Sequence, residues 1–243
     1  SAVRDLIVAL VAGVLQGIFE WLPISSEGNV AALLTLVGAT PGGAVRYSLF
    51  LHLGTALAAT VYYREIVGEL VAELPDWRPS KAFSASASRL TFLGVATVVS
   101  GVVGLVAYSA LEHVVSALAG GAFVAAIGVL LVGTGLFQWR AESRGSTHDG
   151  SGEVSGSKAA EDLGIVDGVL VGVLQGLAIL PGVSRSGTTV GALLLRGYSG
   201  PTSFQLSFVL ASPASVGAGV LVLLDDSAAM AGGLIPALVA LAA

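Results

Sequence analysis

Gly13 to Asn29 reads GVLQGIFEWLPISSEGN, and Gly172 to Thr189 reads GVLQGLAILPGVSRSGTT. The pentapeptide GVLQG occurs in both. Each copy runs from an apolar stretch into a proline and then a serine-rich turn: Pro23, Ser25 and Ser26 in the first, Pro181, Ser184 and Ser186 in the second. Proline lacks an N–H and its ring collides with the preceding turn, so each copy reads as a helix broken at the same place. A repeated break inside apolar sequence predicts two related halves that meet at a polar centre.

The surrounding composition sets the solvent. Of 243 residues, 54% are hydrophobic and 11% charged, whereas a soluble domain carries about 25% charged residues. The chain therefore reads as an all-α integral membrane protein. A formal net charge of −5, with no basic patch interleaved with aromatics, gives nucleic acid no footing. The absence of cysteine removes disulfides and thiolate metal sites. Few lysines, an acidic balance and abundant Ala, Val and Gly suit a salt-adapted organism.

Worked outward, the first half begins with an apolar segment from Leu6 to Leu22, followed by a short one from Val30 to Val37. A full crossing takes about 20 residues, so the pair reads as a re-entrant hairpin with Ser25 to Asn29 at its tip. Tyr47 to Tyr63 is a full span anchored by Tyr62, Tyr63 and Arg64, and Arg64 to Leu74 is an amphipathic interfacial stretch. Leu90 to Leu111 and Val114 to Trp139 are two more spans, turning at Glu112 and His113, with Gly101, Gly104, Gly120, Gly121 and Gly128 favouring close packing. The boundaries are thus a first repeat over about 1–139, a flexible linker over 140–162, and a second repeat over about 163–243, all in one membrane domain. In the second repeat Leu163 to Leu180 is a helix, Pro181 to Thr189 a tip and Val190 to Leu195 a short return. Ser203 to Leu224 is a span interrupted by Pro213, and Met230 to Ala243 starts another helix. Three spans separate the hairpins, which predicts inverted topology, and symmetry predicts that a last helix is missing from this sequence. The basic residues Arg64, Arg78, Lys81 and Arg89 and the basic residues Arg140, Arg144 and Lys158 fall on one side, the cytoplasmic one by the positive-inside rule.

The polar centre carries the chemistry. A charge at the bilayer midplane costs about 2.5–3.5 kcal/mol on insertion scales, so Glu20 and Arg185 should face a cavity or each other. Simple neutralisation of one by the other leaves the hydroxyls of Ser25, Ser26, Ser184, Ser186, Thr188 and Thr189 unexplained. These hydroxyls, beside Gly182 and Gly187, fit an anion cradle at two helix starts, and arginine offers a bidentate fork for phosphate. An anion cradle with an acidic residue points to a phosphate and a divalent cation, Mg²⁺ or Ca²⁺.

Gln16 to Asn29, QGIFEWLPISSEGN, resembles the first motif of the undecaprenyl-diphosphate phosphatase family, the bacitracin-resistance type. PGVSRSGTT matches that family's second motif, Pro-Gly-x-Ser-Arg-Ser-x-x-Thr, at every defined position. The likeness continues through LHLGTALAATVYYRE at Leu51 to Glu65 and SFVLASPASVGAGVL at Ser207 to Leu221. The resemblance implies a multi-pass enzyme of the cell membrane, a homodimer being possible, that removes the terminal phosphate of a polyprenyl diphosphate to recycle a lipid carrier for surface-glycan assembly. It implies that Glu20 and Gln16 bind the metal or diphosphate, that Ser26 is the candidate nucleophile, and that Arg185, Ser184, Ser186 and Thr189 hold phosphate oxygens. Ser25, Gly182 and Asn29 complete the phosphate-binding set.

The chain departs from the family at two positions. Many members have Glu at the place of Gln16 and His at the place of Asn29, and an Asn amide moves no proton. Proton transfer then falls to Glu20 or His52, or a metal-activated water attacks and Ser26 only positions the phosphate. The competing function is a secondary transporter or lipid flippase, because inverted repeats with broken helices are transporter architecture. A membrane phosphatase of the acid-phosphatase type needs two histidines at set spacings, and none lies near SRSG.

Overall fold

In a computed structural model, residues 2–82, 84, 87–146, 158–225 and 241–242 are described. Among them are α1 (Ala2–Phe19), α2 (Ser26–Leu36), α3 (Pro41–Tyr62), α4 (Arg64–Glu73), α5 (Ser88–Ala117), α6 (Gly120–Ser146), α7 (Ile165–Leu177), α8 (Arg185–Leu195) and α9 (Gly200–Asp225). No β-strand occurs among the described residues. By length and composition α3, α5, α6 and α9 are able to cross a membrane. Val98, Val102 and Val106 on α5 and Val129 and Val132 on α6 are more than half exposed, as lipid-facing surfaces are. The protein is an all-α, multi-pass membrane protein.

Both hairpins are present, and proline sets where each breaks. Pro23 has no N–H for the carbonyl of Phe19, and α1 ends at Phe19; Pro181 stands in the same relation to Leu177, where α7 ends. The return helices start earlier than the apolar pattern suggests. α2 begins at Ser26 and α8 at Arg185, so the polar tip residues occupy first helical turns. Serine caps explain this: Ser25 accepts from the Gly28 N–H at 3.3 Å, and Ser184 accepts from the Gly187 N–H at 3.2 Å.

Each hairpin is also closed by an arginine away from its tip. Arg4 on α1 donates to the Val37 carbonyl beyond α2, at 2.7 Å. Arg196, just past α8, binds Asp167 of α7 at 2.6 Å, and Tyr198 donates to the same carboxylate at 2.9 Å. Asp167 also caps α7, accepting from the Gly164 N–H at 2.9 Å.

The two hairpins enter from opposite ends of α5. This helix has 30 residues and is about 45 Å long. At its start Ser88 donates to the Ala160 carbonyl, just before α7. Beyond its other end, Gly120 at the start of α6 meets Thr35 at the end of α2. The Ser88 contact also puts the two basic loops at the same end. The long helices that follow the hairpins, α3 and α9, pack along each other.

Several boundaries differ from the sequence reading. The turn expected at Glu112 and His113 is helical; α5 runs to Ala117 and the chain turns at residues 118–119. Neither residue type ends a helix, and Glu112 stays on α5 to pair with Arg46 of α3 at 2.8 Å. Pro213 does not interrupt α9 and lies on its exposed face, at the wall of an apolar chamber. The linker is ordered at both ends, with α6 continuing to Ser146 and Lys158 bonded through its N–H to the Gly197 carbonyl. Residues 147–157, with His148, and most of the helix expected over Met230 to Ala243 lie outside the described residues.

Close packing falls on two of the expected glycines, Gly104 against Gly176 and Gly120 against Thr35, and on others that the sequence did not single out. A Cβ at Gly101, Gly121 or Gly128 would meet nothing within 4 Å. One at Gly172 would meet the Ala96 carbonyl and Val99 at 2.8 Å, and one at Gly176 would meet Val103 at 2.7 Å. Gly168, Gly172 and Gly176 therefore form a stripe along α7 that lets it seat on α5. A Gly172→Val substitution is expected to destabilise the protein by about 1–3 kcal/mol. Thermal unfolding in detergent should show a fall of several degrees, and an unchanged midpoint would refute the close seating.

Candidate active site

The hairpin tips meet beside the middle of α6. Ser25 has a left-handed backbone, φ 59°, uncommon for a residue with a side chain. There its Oγ accepts from its own helix and also from the Gly182 N–H of the other tip, at 3.2 Å. Ser186 donates to the Leu22 carbonyl at 3.1 Å. From α6, Gln138 donates to the Pro23 carbonyl at 2.7 Å and Thr134 to the Gly182 carbonyl at 3.1 Å. Trp21 stacks edge to face on Phe208 of α9, with centroids 5.5 Å apart. These bonds satisfy backbone groups that the broken helices leave open, in a place with no bulk water to do it.

Glu20, buried at the end of the first break, collects the functional side chains. Its Oε1 accepts from Arg185 Nη2 at 2.7 Å. Its Oε2 accepts from Ser26 Oγ at 2.6 Å and from Gln16 Nε2 at 2.9 Å. His52 Nε2 of α3 lies 3.5 Å from the same Oε2. His52 Nδ1 is 2.9 Å from the Ser48 carbonyl, which only accepts, so Nδ1 carries a hydrogen and Nε2 is the atom left to exchange a proton. Arg185 is held a second time by the Ser207 carbonyl, at 3.2 Å from Nη1.

These groups border a small polar hollow of about 20 Å³, walled by Glu20, Ser25, Ser26, Glu27, His52, Ser184, Arg185 and Ser186. The starts of α2 and α8 both border the hollow, and a helix start carries partial positive charge that suits an anion. Glu27, His52 and Arg185 also border an apolar chamber of about 420 Å³ between α5, α7 and α9. Gly101 and Gly104 are on that chamber's wall, which is why Gly101 packs against nothing.

Five residues expected to touch phosphate or metal are not on the hollow's wall. Asn29 spends its amide on the Ile24 and Ser25 carbonyls, at 2.7 and 2.9 Å, and so fixes the tip. Thr189 is fully buried, 2.6 Å from Ser207 Oγ, and it and Thr188 bond back to carbonyls of their own helix. Gly182 has both backbone groups committed to Ser25 and Thr134. Gln16 supports Glu20 from behind and borders a separate cavity with Gly54 and Thr55.

Three contributors escaped the sequence reading. Glu27 is on the wall of both cavities, while Ser207 and Gln138 hold Thr189, Arg185 and the first tip. Ser207 heads the family-like stretch SFVLASPASVGAGVL and Gln138 lies in an apolar helix, but only their neighbours give them a role. Glu27 stood in the quoted motif, and an acidic residue between two hairpin arms was itself the signal.

Gly28 is where the two tips touch. A Cβ there would lie 2.5 Å from the Gly182 nitrogen, a backbone atom that cannot rotate away. Gly28→Ala is expected to separate the tips, with the site's activity falling at least tenfold while membrane insertion and helix content persist. Measuring activity beside circular dichroism checks this; native activity would contradict the contact.

The chain also has recognisable relatives. The family of bacitracin resistance protein BacA matches residues 9–243. An undecaprenyl-diphosphatase of Haloarcula marismortui is 48% identical over 224 residues, covering 92% of this chain and 78% of the relative. One of Methanococcoides burtonii is 39% identical over 210 residues, 85% of this chain and 74% of the relative. One of Methanopyrus kandleri is 38% identical over 230 residues, 93% of this chain and 77% of the relative. With two interlocked hairpins and a match over nearly its whole length, this chain belongs to the bacitracin resistance protein BacA family.

Proposed function

We propose that this protein hydrolyses the terminal phosphate of undecaprenyl diphosphate or a similar polyprenyl diphosphate within the cell membrane, returning the monophosphate carrier to surface-glycan synthesis. The family and the names of its relatives support that reaction. The observation that carries the chemistry is that Ser26 and Arg185, from different hairpins, are bonded to the two oxygens of one carboxylate.

Glu20 Oε2 is the base for Ser26: a nucleophile hydrogen-bonded to a buried carboxylate, itself oriented by Gln16, is the arrangement that activates a hydroxyl. Ser26 Oγ attacks the terminal phosphorus and passes its proton to Glu20 as the bond to the bridging oxygen breaks. Arg185 gives up its bond to Glu20 for the phosphoryl oxygens, and the N–H groups at the starts of α2 and α8 meet the same charge. The polyprenyl monophosphate leaves along the apolar chamber, whose wall continues from Arg185 to Gly104 and Leu221. Water then attacks the phosphoserine with His52 Nε2 taking its proton, Glu20 returns its proton to the Ser26 oxygen as the P–O bond breaks, and inorganic phosphate is released.

A divalent cation fits this wall in part. The hollow offers oxygen donors of the kind hard cations take, Glu20, Glu27, Ser25 and Ser26. No cluster of three or more His, Cys, Asp or Glu side chains able to hold a metal occurs among the described residues, so phosphate oxygens and water would complete its shell. When bound it would neutralise phosphate charge and polarise the phosphoryl oxygens.

The purified chain with polyprenyl diphosphate and Mg²⁺ or Ca²⁺ is expected to release inorganic phosphate. Arg185→Ala should lower kcat/KM by about 10²–10³-fold, the value of a missing oxyanion donor. Ser26→Ala should lower it by about three orders of magnitude or more, and mass spectrometry of quenched native enzyme should find phosphate on Ser26. Ion-driven uptake of the lipid without phosphate release would replace this reading with a transporter.

A further inference from the structure

Glu27 is a carboxyl on the wall that takes no part in the proton transfers proposed for Ser26 and water. It sits in the first turn of α2, 4% exposed, where the hollow and the apolar chamber adjoin. Its Oε1 is buried with no hydrogen-bond partner. A buried carboxylate in that condition is costly unless something arrives to satisfy it.

The neighbouring charges do not do so. Arg185 is matched by Glu20 at 2.7 Å, and His52 Nε2 faces the same Glu20 at 3.5 Å. The helix start at Ser26 favours a negative charge but gives Oε1 no hydrogen bond. With Glu20 matched by Arg185, Glu27 is left as an unpaired carboxyl at the place where a diphosphate has to enter. Two anions do not share a dry hollow without a cation between them.

We propose that Glu27, together with Glu20, is the carboxylate pair that receives the divalent cation accompanying the diphosphate, in the role that the family resemblance implies for Gln16. The proposal rests on the phosphatase reading of the same site. Gln16 Oε1 also lacks a partner, but Gln16 borders the cavity beside Gly54 and Thr55 and not the hollow. Glu27 is an oxygen donor of the kind Mg²⁺ and Mn²⁺ take, and it stands at the junction where headgroup and tail divide. Substrate phosphates and water would supply the remaining ligands, as is usual where only one or two carboxylates hold Mg²⁺.

The test uses the whole chain in detergent, with Mn²⁺ as probe, read by electron paramagnetic resonance and calorimetry. Titrations run with and without a methylene-bridged prenyl bisphosphonate that cannot be hydrolysed. Native protein should bind one Mn²⁺, more tightly with the bisphosphonate present. Glu27→Gln should weaken that binding by at least about tenfold, since even residues behind a ligand are worth 10–100-fold. Glu27→Asp, which keeps the charge, should recover part of it, and Gln16→Met should lose less than Glu27→Gln. Native affinity in Glu27→Gln, or no gain in Glu27→Asp over Glu27→Gln, overturns the proposal. Phosphate release that persists in chelator with no Mn²⁺ bound overturns it too and leaves the phosphatase standing. Mn²⁺ binding lost in Glu27→Gln, in a protein that releases no phosphate with any divalent cation, upholds the cation site and removes the phosphatase instead.

Discussion

A carboxylate and a guanidinium held 2.7 Å apart inside a lipid-facing bundle constrain nearly everything else in this molecule. Neither group is affordable there alone, and they come from hairpins at opposite ends of α5. The pair forms only if both hairpins penetrate to the same depth and both break where they do. Proline sets the breaks, serine caps set the restarts, and the Ser25–Gly182 and Ser186–Leu22 bonds hold the tips in register. Glu20 is thus a structural keystone and also the group through which Ser26, Arg185 and His52 are brought together.

That double role has a chemical consequence. In the proposed reaction, the base that takes a proton from Ser26 is kept in place by the arginine that later holds phosphate. On that reading, Arg185 turning from Glu20 to phosphate frees the carboxylate to act as a base, and one ion pair couples binding to activation. The rigid surroundings, with Gln138, Thr134 and Ser207 holding backbone and guanidinium, let this exchange proceed without losing the tips.

The placement of glycine follows the same economy of contact. Where helices must touch, at Gly172 and Gly176 against α5 and at Gly28 against Gly182, a Cβ has no room. Where glycine faces the apolar chamber, at Gly101, it widens space for a chain of carbon. The same residue type serves two opposite ends, and spacing alone does not separate them.

The sequence by itself determined the solvent, the two hairpins and the polar groups that the fold gathers around Glu20. Low charge content, proline breaks and the doubled GVLQG pattern act locally, and a charge in apolar sequence demands a partner wherever the chain goes. Glu20, Ser26, Arg185 and His52 were legible for that reason. What the tertiary structure decided is which hydroxyls and amides face the substrate. Asn29, Thr189, Gly182 and Gln16 look like ligands in one dimension, but each has its polar atoms committed to a carbonyl, a hydroxyl or a neighbouring carboxylate, or lies on another cavity. Glu27 and Ser207 gain their roles only from what packs against them. A hydrogen-bonding group can be read from sequence, but whether its bond is already made depends on neighbours that the chain brings together only when it folds.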